Sequence, residues 1–479
     1  MGHGLHLALS RDRARGPGRG RARGVTEAPR SQGARPGDGG KLPQGRRVIA
    51  FPPRPRYPRL ALLVLAWIVL GGTWGPGTAQ AKRVFVPRQY KSLQAAIDAA
   101  HAGDTVWVAA GTYYGPFVLK KRLVLFGDGG PDSTILDGRG SERVLHVEGV
   151  GRASILGFSI QNGKAPGGSG IYCLRDTALM IASCKIRNNW EAGVASWQCS
   201  PLQISDSEIS ENKGSGVTAS DSHVQLVHVN LRGNESSSGG GVSLVSAELL
   251  ARDCLFEGNR AGDGTGGGVY GEGSQIRTMN CTFRGNSAAA GGGGIAGRDS
   301  SDVRIRGTFF AANHSSTGGA LLTDRSSLEV TSSIFTKNRS TTAGSALQIV
   351  GRRVAGVNPL VYSNTFYRNG VTAPDGAAVF AIEVAPEIVR NIFVVDSTEK
   401  NQAVLDMRAV PKYDCNLVYA LDGSARLPAA NTILASPSFC DAENENFRVR
   451  DLSPVLIAPC GPIGALGKGC TSFRVLPSH

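Results

Sequence analysis

The chain has 479 residues, of which 41% are hydrophobic and 19% charged, and its formal net charge is +14. Residues 1–60 hold 14 of the Lys and Arg residues and only 3 Asp or Glu, so most of the positive charge lies in that stretch. A nucleic-acid-binding protein is expected to carry a strong basic patch on its folded domain. The charge distribution therefore gives no support for a nucleic-acid partner.

The N-terminal stretch contains two predicted regions that precede the folded part. Residues 1–53 are rich in Arg, Gly and Pro, and we expect either a disordered basic extension or an over-extended translation start. Residues 54–81 combine Arg residues, the apolar run 60–70 and Ala79-Gln-Ala81, which is the pattern of a signal peptide. An uncleaved anchor is the alternative. We predict a secreted, periplasmic or extracellular protein whose mature chain has no transmembrane span.

Residues 82–138 are predicted to form an N-terminal cap and the first turns of the fold. Ser92 is a good N-cap, and Leu93, Ala96, Ile97 and Ala100 form one apolar helical face. This pattern predicts a short amphipathic helix that ends near Gly103 and covers the open end of a stack of strands.

Residues 139–410 repeat a Phe-x-x-Asn motif followed by a run of small residues. The full copies begin at five phenylalanines: Phe256, Phe283, Phe310, Phe335 and Phe366. The period of roughly 25 residues and the two-residue alternation of apolar and polar side chains predict an all-β solenoid of stacked coils. The phenylalanines should fill the interior, and the asparagines should bond to backbone groups at each turn. Runs of small residues should permit close approach of neighbouring coils.

Four asparagines also match the glycosylation triplet: Asn234, Asn280, Asn313 and Asn338. Three of them belong to the repeated Asn position, where the side chain should point inward. We therefore interpret those three as structural rather than glycosylated.

Residues 411–479 contain four of the nine cysteines and do not repeat, and they are predicted to form an irregular C-terminal cap. Pairing of Cys415 with Cys440 and of Cys460 with Cys470 is one of three possible connectivities. Cys254 and Cys281 occupy equivalent positions on adjacent coils, either as small apolar fillers or as a disulfide between coils. The chain has no Cys-x-x-Cys pair, so a zinc site is not expected.

These motifs resemble those of the right-handed parallel β-helix proteins, the pectate-lyase-like superfamily, over residues 83–440. The most similar stretch runs from Tyr90 to Val108 and continues with Gly111-Thr-Tyr and Thr134-Ile-Leu-Asp-Gly138. The pairing of Phe-x-x-Asn with Gly-Gly-Ala-Leu is also similar to the repeats of polymorphic outer-membrane proteins. The resemblance implies a right-handed parallel β-helix and action on acidic polysaccharides. The Gly-His-Gly and Arg-Ile-Lys motifs of the family's hydrolases are missing from this sequence, so no catalytic residue is transferred.

One repeated position still offers a candidate catalytic group. Asp206, His228 and Asp253 each lie three residues before the repeated apolar residue. In register they would stack about 4.8 Å apart, with the two carboxylates roughly 10 Å from each other. Such a stack could carry out acid–base chemistry on a glycan, although a polar turn is the alternative interpretation.

The second candidate surface is an outward basic stripe on three coils, formed by Arg252, Arg277, Arg304 and Arg306. Guanidinium groups suit the carboxylates or sulfates of a glycan, whereas a solvated strand face is the alternative. We predict a secreted or surface β-helix protein that binds a polysaccharide or cell-surface glycan or acts in adhesion, without catalysis and without a cofactor. The competing hypothesis is a polysaccharide lyase or glycosidase, and calcium would be needed only in the lyase case.

Overall fold

The computed structural model describes residues 81–471, apart from residue 176 and the segments 352–357, 372–375, 396–401, 421–426 and 428–430. The predicted extension 1–53 and the predicted signal peptide lie outside the described residues, except for Ala81. No helix in the described part of the chain is long and apolar enough to cross a membrane.

The described chain is a right-handed parallel β-solenoid, as the repeats predict. Each coil adds one strand to sheet A, one to sheet B and one to sheet C, in that order along the chain. With strands numbered in chain order, sheet A consists of β1 (Arg83–Val86), β2 (Thr105–Val108), β5 (Val124–Gly127), β8 (Gly151–Leu156), β11 (Thr177–Ala182), β14 (Leu202–Ser205), β17 (His223–Val227), β21 (Glu248–Arg252), β25 (Gln275–Met279), β29 (Asp302–Arg306), β33 (Ser327–Thr331), β37 (Leu360–Tyr362), β41 (Glu387–Val389) and β44 (Lys412–Asp414).

Sheets B and C complete the coil. Sheet B consists of β3 (Gly111–Tyr114), β6 (Thr134–Asp137), β9 (Ser159–Gln161), β12 (Lys185–Arg187), β15 (Glu208–Ser210), β18 (Asn230–Arg232), β22 (Leu255–Glu257), β26 (Thr282–Arg284), β30 (Phe309–Ala311), β34 (Ile334–Thr336), β38 (Thr365–Tyr367), β42 (Ile392–Val395), β45 (Leu417–Ala420) and β46 (Ile433–Leu434). Sheet C consists of β4 (Phe117–Leu119), β7 (Leu145–Glu148), β10 (Ile171–Leu174), β13 (Val194–Trp197), β16 (Val217–Ser220), β20 (Val242–Val245), β24 (Val269–Glu272), β28 (Ile295–Arg298), β32 (Leu321–Asp324), β36 (Leu347–Val350), β40 (Ala377–Ile382) and β43 (Gln402–Met407).

Two smaller sheets complete the fold. Sheet D lies at the corner between sheets B and C and consists of β19 (Glu235–Ser236), β23 (Arg260–Ala261), β27 (Ser287–Ala288), β31 (His314–Thr317), β35 (Arg339–Ala343) and β39 (Gly370–Val371). The C-terminal sheet consists of β47 (Phe439–Asp441), β48 (Asn446–Arg450) and β49 (Lys468–Cys470).

The predicted phenylalanine column fills the interior beneath sheet B. Strand register aligns the five repeated phenylalanines, and Phe393 extends the column by one coil. Neighbouring rings stack with centroids 4.4 to 5.0 Å apart. All six rings are buried. Since parallel, in-register stacking repeats the same environment on each coil, the same large side chain fits at each level.

The predicted asparagine column is a continuous hydrogen-bonded ladder, which we call the asparagine ladder. Asn286 shows the pattern: its Oδ1 accepts the backbone N–H and the Nδ2–H of Asn259, both at 3.0 Å. Its own Nδ2 donates to the carbonyl of Phe256 at 2.9 Å and to Oδ1 of Asn313. The ladder members are Asn189, Asn212, Asn234, Asn259, Asn286, Asn313, Asn338 and Asn369.

Burial of the ladder confirms that Asn234, Asn313 and Asn338 are structural, whereas Asn280 is exposed at a turn. A second, shorter ladder of Asn364, Asn391 and Asn416 lies between sheets A and B, and the sequence analysis missed it.

The runs of small residues allow the close approach that was predicted for them. A Cβ on Gly294 would lie 2.7 Å from the carbonyl oxygen of Ala320 on the next coil and 3.1 Å from the ring of Phe310. Gly292 has a φ of +62°, which favours glycine. Substitution at either position would therefore force neighbouring coils apart.

The N-terminal cap has the predicted form. Helix α1 (Leu93–Ala99) begins after Ser92, whose side chain accepts the Ala95 N–H at 3.4 Å. Leu93, Ala96 and Ile97 are buried against the first coil.

The C-terminal region contacts the side of the solenoid. Residues 431–471, the C-terminal segment, pack along the outward face of sheet B, where Phe447 contacts Phe309 and Tyr367. Arg284 on β26 binds Glu445 of this segment through two hydrogen bonds of 3.0 and 2.7 Å. The outward face of sheet B is therefore covered from β26 onward.

The cysteine pairing differs from the pairs named above. Cys415 pairs with Cys460 and Cys440 with Cys470, because the C-terminal segment folds back along sheet B instead of closing local loops. Cys173 and Cys199 form a further disulfide between adjacent coils, which was not predicted. Cys254 and Cys281 are buried free thiols, in agreement with the interpretation as fillers, and Cys184 is buried and free as well.

Candidate functional site

The predicted catalytic residues meet at the corner between sheets A and B. Asp206, His228 and Asp253 all adopt the left-handed conformation, with φ of 47°, 54° and 53°. This conformation turns the chain from sheet A to sheet B and points the side chains outward. Nδ1 of His228 lies 3.3 Å from Oδ1 of Asp206, and Nε2 lies 4.0 Å from Oδ2 of Asp253. We call this group the histidine trio.

The histidine trio is open to solvent. The side chains of Asp206, His228 and Asp253 are 57%, 60% and 40% exposed. Water screens charge interactions between such exposed groups. The arrangement can exchange a proton with a bound ligand, but a substrate would have to supply the dry environment that makes acid–base catalysis efficient.

The four predicted arginines lie on the outward face of sheet A, but they form two columns instead of one stripe. Register places Arg252 and Arg306 on either side of Met279, whereas Arg277 is directly beside Arg304. Arg277 contacts Glu248, and Nε of Arg304 lies 3.1 Å from a carboxylate oxygen of Asp302. Carboxylates on the same face thus neutralise one of the two columns.

A surface that the sequence analysis missed lies at the corner between sheets B and C. The residue after each ladder asparagine points outward, and we call this series the corner ladder. On the third coil Lys164 takes this place after Gly163, which stands in the asparagine position, and the members on the next four coils are Trp190, Lys213, Glu235 and Arg260. The backbone N–H of each of the last four donates to a carbonyl of the preceding coil at 2.8 to 3.0 Å, so the side chains follow one another along the solenoid.

Trp190 is the most prominent member of the corner ladder. Its side chain is 57% exposed, and the ammonium group of Lys164 lies 4.4 Å from its ring centroid. Lys213 follows on the next coil and forms no ion pair within the described part of the chain. Arg260 contacts Glu235 at 3.4 Å.

Beyond Lys213 the corner ladder opens into a shallow depression of about 420 Å³. It is lined by Lys213, Glu235, Ser236, Ser237, Arg260, Gly262 and Asp263. Within the described ranges, no group of three or more His, Cys, Asp or Glu side chains is arranged to hold a metal ion. The lining combines two cations, two carboxylates and two serine hydroxyl groups, so it can hydrogen-bond to polar groups of a ligand, and Lys213 is its cation without an ion pair in the described ranges.

A sequence signal for the corner ladder does exist. Trp190, Lys213 and Arg260 each directly follow an asparagine of the repeat. Once the asparagines are assigned to the inside, the next position must point outward, because neighbouring residues of an extended chain alternate in direction. The variable residue after an invariant inward residue is therefore a place to look for binding groups.

The sequence also matches a known family profile. The family described as "Right handed beta helix region" matches residues 145–283, 231–366 and 263–404 in overlapping alignments, which together cover more than half of the chain. The chain belongs to this right-handed β-helix family. A search of curated proteins found no significant match.

Solved structures of similar fold include three polysaccharide lyases. Pectate lyase Pel9A is 12% identical, with 82% of this β-helix chain and 98% of that chain covered and a TM-score of 0.40. A mannuronic-acid-specific family 6 lyase from human gut microbiota is 10% identical, with 80% and 96% covered and a TM-score of 0.43. A PL6-family alginate lyase is 14% identical, with 83% and 60% covered and a TM-score of 0.48. At such identities the likeness concerns the fold alone.

Proposed function

We propose that this β-helix protein binds an acidic polysaccharide along the corner ladder and needs no catalysis to do so. The observation that carries the proposal is the exposed Trp190 between Lys164 and Lys213, beside the depression. Aromatic side chains, tryptophan above all, are enriched at binding surfaces, and here the cations on the neighbouring coils add charge beside the ring.

The chemistry of the corner ladder matches an acidic sugar polymer. The flat indole face of Trp190 can stack on the apolar face of a sugar ring. Lys164 and Lys213 can each contact a carboxylate or sulfate of a neighbouring unit. A polymer that runs along the solenoid meets one ladder position per coil, at a repeat of about 4.8 Å, so several weak contacts add up.

The proposal places the protein in the periplasm or outside the cell. The predicted signal peptide supports this location. The three disulfides support it as well, because disulfides persist in oxidising compartments. The outward arginines Arg252 and Arg306 are a second, separate surface that an acidic glycan could reach.

Calorimetric titration with polygalacturonate, alginate and neutral dextran tests the proposal. We expect binding of the acidic polymers, which weakens with salt, and a loss of about tenfold or more in affinity for Trp190→Ala. Lys213→Ala should weaken binding and flatten the salt dependence. Trp197→Ala is the matched control, since Trp197 is also an exposed tryptophan but ends β13 on sheet C.

Two results would contradict this assignment. If Trp190→Ala and the wild type bound the acidic polymers with equal affinity, the corner ladder would not be the binding surface. If instead the double variant Arg252→Ala, Arg306→Ala lost binding while Trp190→Ala kept it, the glycan surface would be sheet A.

The alternative function is cleavage of an acidic polysaccharide by the histidine trio. It is favoured by the contacts of both carboxylates with opposite nitrogens of His228. A lyase would produce unsaturated ends that absorb ultraviolet light, and a hydrolase would produce reducing ends. Activity that disappears in Asp253→Asn, measured with calcium and with a chelator, would establish catalysis. Binding without any new ends would support the non-catalytic proposal.

A further inference from the structure

A further group of reactive side chains lies at the corner between sheets C and A, beside the arginine columns of sheet A and separate from the histidine trio and the corner ladder. Oγ of Ser200 is 2.6 Å from Nδ1 of His223, and Nε2 of His223 is 3.4 Å from Oε2 of Glu248. The second carboxylate oxygen of Glu248 contacts Arg277. We call Ser200, His223 and Glu248 the serine triad.

Strand register on three successive coils creates the serine triad. His223 and Glu248 are the first residues of β17 and β21 and are paired directly across the sheet. Ser200 lies two residues before Leu202, the first residue of β14. Cys199, which precedes it, is disulfide-bonded to Cys173, and Pro201 follows it. A disulfide on one side and the constrained φ of proline on the other restrict the backbone that carries the hydroxyl.

The geometry points to nucleophilic hydrolysis of small acyl esters by this serine triad. With the imidazole proton on Nε2, facing Glu248, Nδ1 accepts the proton of the Ser200 hydroxyl. The hydroxyl is thereby activated as a nucleophile, His223 acts as the base, and Glu248 positions the ring. Glu248 acts through His223 and is a positioning residue.

The reaction is balanced without any cofactor. Oγ of Ser200 forms a bond to the ester carbonyl carbon while Nδ1 of His223 takes the hydroxyl proton. The C–O bond to the alcohol then breaks, and the imidazolium returns the proton to the leaving oxygen. Water attacks the resulting acyl-serine with His223 as base, which releases the carboxylic acid and restores Ser200.

Two glutamines lie next to the site on the same outward face. Gln203 and Gln225 are two residues beyond Pro201 and His223 on their strands. Nε2 of Gln203 donates to Oε1 of Gln225 at 3.2 Å, and Nε2 of Gln225 donates no hydrogen bond within the described part of the chain. These amides make the outward surface beside the triad polar, so it can hydrogen-bond to a carbohydrate that carries the ester.

The openness of the site suits esters carried on a large molecule. The side chain of His223 is 61% exposed, and Ser200 is exposed as well. An acyl group that projects from a polymer can reach such an exposed site. The ester chemistry stands by itself, but an acetylated polysaccharide as substrate rests on the proposed function.

A fluorophosphonate probe tests the nucleophile in the wild-type protein. Its phosphorus bonds to an activated serine oxygen with loss of fluoride, and peptide mass spectrometry locates the adduct. We expect the adduct on Ser200, with labelling slowed by about 10²-fold in His223→Ala. Absence of labelling on Ser200 in the folded wild type would overturn the inference.

Hydrolysis of 4-nitrophenyl acetate provides the second readout. We expect Ser200→Ala to lower kcat/KM by about 10²-fold and Glu248→Gln to lower kcat by about tenfold with KM unchanged. Ser246→Ala is the control, since Ser246 is an exposed serine at the same corner two coils later and should keep full activity. Undiminished activity in Ser200→Ala would contradict the proposal.

Acetate release from an acetylated polysaccharide separates the two proposals. If the aryl ester is hydrolysed and Ser200 is labelled but the polymer is neither bound nor deacetylated, the esterase inference stands and the glycan proposal fails. If the polymer is bound but Ser200 is unreactive toward the probe, the glycan proposal stands and the esterase inference fails.

Discussion

The inside and the outside of the solenoid follow different rules, even at adjacent residues. Eight coils carry asparagine at the same inward position of the corner between sheets B and C. The next residue along the chain differs from coil to coil and ranges from Trp190 through Lys213 and Glu235 to Gly370. The inward position is dictated by stacking, whereas the outward position is free to bind a ligand.

Hydrogen bonding explains why the inward position is restricted to asparagine on these coils. The side chain of each internal ladder asparagine bonds to both neighbouring coils and to a backbone carbonyl, as Asn286 does. An amide, which both donates and accepts, is the group that can repeat this pattern on every coil. Replacement by any side chain without those two functions leaves buried backbone groups unpaired.

The largest effect should come from opening the phenylalanine column. Phe310 faces inward and stacks between Phe283 and Phe335, whereas its neighbour Phe309 faces outward beneath the C-terminal segment. We expect Phe310→Ala to lower the free energy of unfolding by about 3–5 kcal/mol. Phe309→Ala should cost clearly less, because Phe309 is only half-buried. Urea unfolding followed by circular dichroism measures both, and equal losses would contradict the distinction between the two faces.

Removal of one rung of the asparagine ladder should have the next largest effect. Asn286→Ala leaves the N–H of Asn259 and the carbonyl of Phe256 without their partner, which costs about 2–4 kcal/mol in total. Asn280→Gly is the control, since Asn280 is exposed with a φ of +53° that glycine adopts freely. We expect the control to change stability by about 0.5 kcal/mol or less. A similar loss in both variants, read from urea midpoints, would count against the ladder as a stabilising element.

The interior of the solenoid could be predicted from sequence because the same motif recurs on successive coils. Equal spacing of Phe256, Phe283 and Phe310 implies register, and register implies stacked rings. The same reasoning correctly brought Asp206, His228 and Asp253 together, since they occupy one repeated position. The cap helix was predictable because its N-cap and apolar face are local signals.

Contacts that do not repeat could not be predicted in this way. The bond between Arg284 and Glu445 joins residues 161 positions apart, and nothing in the period connects them. The pairing of Cys415 with Cys460 depends on the same fold-back of the chain. The serine triad lies at a corner outside the Phe-x-x-Asn motif. It forms because its serine and histidine are offset by one residue relative to the strand register.

The prediction that the four arginines form a single stripe was wrong. The two-residue alternation predicts on which face of sheet A a side chain lies, but it does not predict which residue of the next strand lies beside it. Arg252 ends β21 and pairs with Met279, so Arg277 lies two positions away in the neighbouring column. A shift of two residues keeps the face but changes the column. Prediction of a face was therefore reliable, whereas prediction of side-by-side contacts needed the strand bounds.

A smaller effect is expected at Asp104 of the N-terminal cap. Its buried carboxylate accepts the N–H of Lys82 and of His101, each at 2.8 Å. Burial by itself raises the pKa of Asp104, but the two N–H donors outweigh it and hold the pKa below its usual value of 3.8. The stabilisation is therefore complete above the unfolded-state pKa and is lost as pH falls through the lower pKa of the folded state.

Asp104→Asn tests this assignment inside the cap. We expect a loss of about 2 kcal/mol at neutral pH, and a difference from the wild type that shrinks as pH falls below the unfolded-state pKa toward the lower pKa of the folded state. Hydrogen exchange at the amides of Lys82 and His101 measures the local effect. A difference that stays constant from pH 7 to pH 3 would show that the charge of Asp104 is not responsible. Asp98→Asn is the control, because Asp98 is exposed on α1.

The smallest effect is expected at the contact between the outward face of sheet B and the C-terminal segment. Arg284 holds Glu445 through two hydrogen bonds, and this contact raises the pKa of the arginine. Its side chain is 39% exposed, so solvent screens the pair, and Glu445→Gln should cost about 1 kcal/mol or less. Limited proteolysis of the C-terminal segment should become faster in this variant and, in the wild type, at high salt. Glu257→Gln, on the neighbouring strand β22, should leave the rate unchanged.

If Glu445→Gln is cleaved at the wild-type rate at low salt, apolar contacts such as Phe447 with Tyr367 hold the segment alone. Either way, the C-terminal segment lies over the outward face of sheet B from β26 onward, so a ligand must use the corners of the coil or the remaining outward faces.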